Sequence, residues 1–278
     1  MSATVFLVVL CGAALHASWN AIVKAGPDKL LTTVLVAAAS GIVAAAALPF
    51  LPAPARESWP FLAVSAAVQV LYFALVAGAY AATDMSRAYP LMRGAAPALV
   101  ALAGAALLGE RLAPAAWAGV ALISGGVFAM TFAAGGTASR RGTVLALANA
   151  GVIASYTLID GIGVRRSGAA VSYAMWLFLL NALPLVGWAL LTRRPAFLAY
   201  AGRWWRLGLA GGVGNLGSYG LALWAMTQAP VAIVAALRET AILFGLAIAG
   251  LVLRERVGPA RMAAAAVIVL GAVALRLA

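Results

Sequence analysis

Five ionisable side chains of this sequence fall inside long apolar stretches: His16, Arg93, Asp160, Arg238 and Glu239. An ionisable group held in hydrocarbon costs at least ~2.5–3.5 kcal/mol, so each needs a partner, a water-filled cavity or a route to the interface. Arginine presents a planar fork that matches a carboxylate, so Arg93 and Arg238 are candidates to hold an anionic group of a ligand. The competing reading is snorkelling to the nearer surface, or a structural pair with Asp160, Asp84 or Glu239. His16, Asp160 and Glu239 are the candidates to take up and release a proton. For His16 the plainer alternative is a neutral imidazole bonded to backbone or hydroxyl.

Around these positions stand Trp19, Asn20, Tyr72, Tyr80, Tyr89, Tyr156, Trp176, Tyr219 and Trp224. Together they could line a cavity that holds an apolar side chain; singly, each aromatic also fits plain packing. Catalytic patterns are missing. There is no phosphate-binding Gly-x-x-x-x-Gly-Lys-Ser/Thr loop and no His-Glu-x-x-His helix. Cys11 is the sole cysteine, so no intramolecular disulfide and no metal-type Cys/His cluster is possible. No catalytic residue, cofactor or metal is expected.

The elements that carry these residues must be membrane spans. Apolar residues make up 65% of the chain and charged residues 9%, and mean hydropathy is +1.03; a soluble domain carries about 25% charged residues. A span needs roughly 20 apolar residues. The pattern predicts an all-α membrane protein of about ten transmembrane helices, near 4–24, 31–51, 59–82, 87–108, 114–133, 142–164, 169–191, 204–227, 230–253 and 259–277. The first is expected to be retained, since 1–10 lacks the basic start of a signal peptide. The net charge of +12 is spread one or two residues per turn, which reads as interface anchoring and not as a nucleic-acid surface. The expected partners are the lipid bilayer and a small-molecule substrate, with no nucleic acid, and the expected state is a monomer.

A repeat orders the spans. Segment 88–130 slides onto 233–275 at a constant offset, placing Arg93 on Arg238, Glu110 on Glu255, Arg111 on Arg256, Pro114 on Pro259 and Gly126 on Gly271. Ala17-Ser18-Trp19-Asn20 falls on Ala154-Ser155-Tyr156-Thr157 at a shorter offset. This divides the chain into residues 1–136 and 137–278, two five-helix repeats. An odd number of spans per half makes the second repeat enter the membrane inverted, with a midplane site between the halves and alternating access as the mechanism. Inversion also brings Arg93 and Arg238 toward the middle from opposite faces, roughly 9 and 12 Å deep at 1.5 Å per residue.

The run Pro97, Leu108-Gly109-Glu110-Arg111-Leu112, Gly119 and Gly125-Gly126, with its weaker copy Leu253-Arg254-Glu255-Arg256-Val257 and Gly271, resembles the EamA-type proteins of the drug/metabolite transporter superfamily. The second copy departs from the pattern, with Ile242 opposite Pro97 and Arg254 opposite Gly109. The resemblance, in which the amino-acid exporters of the YddG kind are the nearest comparison, implies a secondary transporter that exports amino acids or similar metabolites from a bacterium. It implies multi-pass insertion in the inner membrane with cytoplasmic termini. Lysines and arginines outside the spans or at their ends instead number five on the side of the termini and twelve opposite, which by the positive-inside rule places the termini outside. Cationic-drug export and sugar-phosphate carriage are the alternatives within transporters. An intramembrane enzyme or a channel would need motifs that the sequence lacks.

Overall fold

The computed structural model describes residues 1–133, 139–252 and 258–278. The Gly135-Gly136 break and the turn bearing Arg254, Glu255 and Arg256 lie outside the described residues. Within them the chain is all helical: α1 Ala3–Ala25, α2 Lys29–Ala47, α3 Trp59–Ala82, α4 Met85–Leu108, α5 Pro114–Ala133, α6 Arg140–Ser167, α7 Ala170–Thr192, α8 Arg194–Met226, α9 Val231–Arg238, α10 Ala241–Ala247 and α11 Pro259–Leu277. Short polar residues start several of them. Ser2, Asp28 and Ser139 accept from backbone N–H groups three residues on, which satisfies donors that the first turn leaves orphaned. Gly109 ends α4 at φ 65°, a left-handed conformation that a residue with a Cβ adopts only under strain.

Nine segments among the described residues are long and apolar enough to cross a membrane, with Val231–Leu251 counted as one. The expected eighth span, 204–227, is the second limb of α8, which departs from helical geometry at Trp204 (φ −115°, ψ 17°). Its glycines and Asn215 dilute its apolar character, and it is not among the nine. The expected single span at 230–253 is interrupted instead. α9 stops at Arg238, Glu239 and Thr240 form a tight turn, α10 follows, and Ile248–Val252 is π-helical.

That interruption answers the missing proline of the second repeat. In α4, Pro97 has no N–H to give to the carbonyl of Arg93, four residues back. In the second half Ile242 does have an N–H, but donates it to Glu239 O at 3.0 Å, as Thr240 N donates to Leu237 O at 3.0 Å. By two different means, Arg93 and Arg238 both sit where the regular helical ladder breaks.

Packing follows small residues. Lipid is as apolar as leucine, so helices associate through close van der Waals fit. A Cβ on Gly126 would stand 2.6 Å from Ile268 Cγ1 and 3.0 Å from Ala264 O; one on Gly271 would stand 2.7 Å from Ile123 Cγ1 and 2.9 Å from Gly119 O. These contacts run antiparallel along α5 and α11, and each is the image of the other at the repeat offset. Elsewhere α1 packs on α8 and α3 on α6, α2 packs on α7 and α8, α3 on α7, α4 on α6 and α9, and α1 on α9 and α10. Exchanging α1–α5 for α6, α7, α8, α9–α10 and α11 returns the same pairings, an arrangement compatible with two five-helix halves. An apolar core including Val5, Leu62, Val100, Val164, Tyr173, Leu223 and Leu237 fills the half of the molecule nearer the termini.

Candidate functional site

Beyond that core lies a cavity of about 190 Å³, lined by residues from α1, α2, α3, α4, α6, α7, α8 and α9. Its ionisable lining comprises His16, Arg93 and Arg238, with tyrosines Tyr72, Tyr89, Tyr156 and Tyr219. Trp19, Asn20 and Phe178 also face it. Most of these come from the middle of their helices, where inward-facing polar groups can be tolerated only beside a cavity or a partner.

The two arginines are not equivalent. Arg93 Nε donates to Glu239 Oε2 at 2.9 Å, and both side chains are buried. This pair joins α4 to the turn after α9 and neutralises Arg93, which shifts the leading anion-binding role assigned to it from sequence. Glu239, one of the candidates for proton uptake, is thereby engaged as the counter-ion of Arg93. Arg238 is paired with no carboxylate among the described residues. Its guanidinium lies 4.6 Å from the centroid of the Tyr219 ring, a cation–π contact, and faces the cavity. Trp19 Nε1 is a buried donor with no partner among the described residues. His16 packs edge-on against the Trp19 ring, with centroids 5.3 Å apart.

Asp160 lies just behind the cavity wall and is fully buried. Its carboxylate accepts from Tyr219 Oη at 2.6 Å and from Tyr173 Oη at 3.1 Å, and Ser65 faces it from α3. Hydroxyls make the direct bonds to this charge, and Arg238 acts on it from beyond the Tyr219 ring. Tyr219 is thus shared, with its hydroxyl on Asp160 and its ring under Arg238.

Other residues depart from expectation. Tyr80 packs into the cluster of Ala79, Ala88, Met92 and Ala96, Trp224 packs on the termini-side core, and Trp176 does so with its ring against Trp59, centroids 4.9 Å apart. These three do not line the cavity, because helical phase turns them to neighbouring helices. The lining also contains residues that sequence reasoning missed: Ser40, Gln69, Asn181 and Asn215. The available signal was that uncharged amides, like charges, are costly in hydrocarbon without partners.

On the side of the termini a polar lock closes the bundle. Glu110 Oε1 accepts from Val231 N at 2.8 Å and from Arg165 Nη2 at 3.0 Å, and Oε2 accepts from Ala232 N at 3.4 Å. Arg165 also donates to Met226 O at 2.7 Å and Ala229 O at 2.9 Å. The glutamate of the repeated Glu-Arg turn therefore caps α9, a helix whose own N-cap, Pro230, makes no side-chain bond.

The fold has precedent. A solved structure titled "Crystal structure of protein" matches with a TM-score of 0.76 at 21% identity, covering 100% of this chain and 98% of that chain; this likeness shows the fold. No curated protein matches the chain. Residues 140–277 match the EamA-like transporter family, and residues 30–123 match the Small Multidrug Resistance protein family. With transporter-type sequence in both halves and nine membrane-length helices, the protein is a multi-pass membrane transporter for a small molecule.

Proposed function

We propose that the protein is a secondary transporter that exports small carboxylate-bearing metabolites, amino acids foremost, by alternating access between two inverted five-helix halves. The observation that carries this reading is Arg238, a permanently charged group in a membrane-embedded cavity with no acidic partner among the described residues. A carboxylate would complete it bidentately, and Tyr72, Tyr156 and Phe178 would take an apolar side chain by area, which tolerates several side chains. The antiparallel, self-complementary contact of α5 with α11 supports the inverted halves. Asp160 is the favoured proton carrier, because its carboxylate touches Tyr219, which in turn touches Arg238.

The Small Multidrug Resistance match raises a second reading, export of organic cations. The unpaired charge in the cavity is positive, and both buried acids have protein partners, which disfavours it. Counterflow in proteoliposomes decides between them: a neutral amino acid is carried by wild type, its amide and quaternary amines are not, and Arg238→Gln removes the distinction. Equal carriage of acid and amide by wild type refutes the carboxylate reading.

A further inference from the structure

Four uncharged polar groups of the cavity form two pairs. Asn181 Nδ2 on α7 donates to Gln69 Oε1 on α3 at 2.8 Å, and Asn215 Nδ2 on α8 donates to Ser40 Oγ on α2 at 3.4 Å. The exchange of halves relates them. Gly41 meets Ala182 where α2 crosses α7, which sets Ser40 against Asn181, and at the repeat offset Gln69 falls on Gly214, one residue before Asn215.

One N–H of each amide and the Ser40 hydroxyl are spent on protein. Gln69 Nε2 donates to Ser65 Oγ at 3.0 Å, and Ser40 Oγ lies within hydrogen-bonding distance of Val36 O and Gly212 O. What remains toward the cavity is the Oδ1 atom of Asn181 and of Asn215, each an acceptor with no donor among the described residues, together with the second N–H of each amide. A half-satisfied amide in a low-dielectric site is costly, so a bound molecule that supplies a donor gains what the empty site lacks. The donor that fits is uncharged, because the lining already holds the unpaired Arg238 and no carboxylate.

We infer that Asn181 and Asn215, braced by Gln69 and Ser40, form a neutral polar subsite that reads a group able both to donate and to accept a hydrogen bond on the far end of the cargo. The preferred substrates then carry an anionic group at one end and a carboxamide or hydroxyl at the other. This rests on the carboxylate reading of Arg238. The test is calorimetric titration of the purified full-length protein with two matched pairs, L-glutamine against L-norleucine and glutaramate against hexanoate. Wild type is expected to bind the amide member at least roughly tenfold more tightly, the size of one well-made buried hydrogen bond. Asn181→Leu or Asn215→Leu brings that ratio below about threefold while the apolar member still binds. The two substitutions lie in separate pairs, so one can be read if the other fails to fold. Binding of both members without preference, or a preference that survives both substitutions, overturns the subsite and leaves the carboxylate reading standing. If no member of either pair binds wild type, the carboxylate reading falls and the subsite falls with it.

Discussion

Replacing Glu110 tests whether the polar lock holds the termini side shut. Two contributions disappear in Glu110→Ala. The cap on α9 is worth about 0.5–2 kcal/mol, and the charge-assisted bond to Arg165 about 1.5–3 kcal/mol. The Arg165 side chain is 36% exposed, so screening brings the total to the low end, about 2–3 kcal/mol. If these contacts exist only while the termini side is closed, their loss shifts the closed-to-open ratio by roughly 30- to 140-fold, at about 1.4 kcal/mol per tenfold. The assay is alkylation by a membrane-impermeant maleimide of Ala232→Cys, a fully buried position beside the lock, in a Cys11→Ser background. Labelling should rise at least tenfold in Glu110→Ala, and less in Glu110→Gln, whose amide oxygen still accepts from Val231 N. Exchanging the pair, Glu110→Arg with Arg165→Glu, should not restore closure, because arginine cannot accept from the α9 amides. Unchanged labelling in Glu110→Ala, or full rescue by the exchange, would refute the reasoning.

Further expectations rest on the same geometry. Arg93→Gln leaves Glu239 buried without its counter-ion and should lower thermal stability by about 3–5 kcal/mol, whereas Arg238→Gln should lose binding of carboxylates with little loss of Tm; the reverse order would show that the roles of the arginines are exchanged. Asp160→Asn should abolish accumulation driven by a pH gradient yet retain substrate exchange, and Tyr219→Phe, which removes the hydroxyl at 2.6 Å, should weaken the coupling. The groups facing Asp160 are Ser65, Tyr156, Tyr173, Tyr219 and Arg238, so pH-driven transport that survives Asp160→Asn would leave His16 as the group to examine. Gly126→Val should cost about 1–3 kcal/mol through overpacking against Ile268 and the Ala264 carbonyl. Gly125→Val, with nothing within 4 Å of its added Cβ, should stay within about 0.5 kcal/mol; equal melting temperatures would contradict the α5–α11 contact.

The helices were legible because hydrocarbon imposes a simple rule, a long apolar run between polar breaks, and the prolines and glycines that punctuate the runs act locally. The cavity was legible in part for a related reason. Arg93, Arg238, His16 and Tyr219 had to face inward wherever their helices packed. The partner of each was not legible. Glu239 follows Arg238 in sequence yet binds Arg93, since neighbouring side chains on a helix point about 100° apart. The same phase problem misplaced Tyr80, Trp176 and Trp224. Aromatic side chains are at home in lipid, in packing and in cavities alike, so their type carries no direction.

The contrast between Pro97 and Ile242 shows what a repeat preserves. At the level of residues the second copy departs from the first, and sequence comparison counts this as a loss. At the level of hydrogen bonds it does not. Pro97 withholds a donor from the Arg93 carbonyl because it has none, and the turn at Glu239 and Thr240 withholds Ile242's N–H from the Arg238 carbonyl by giving it to Glu239. Glu239 is then placed, by that same turn, to neutralise the arginine of the other half. One half supplies the break by a proline and the other by a turn that also delivers a carboxylate. The asymmetry matters for binding. A strict copy of the first half would leave two unpaired guanidinium groups in one cavity, whereas the observed second half cancels Arg93 and leaves Arg238 with no ion pair among the described residues.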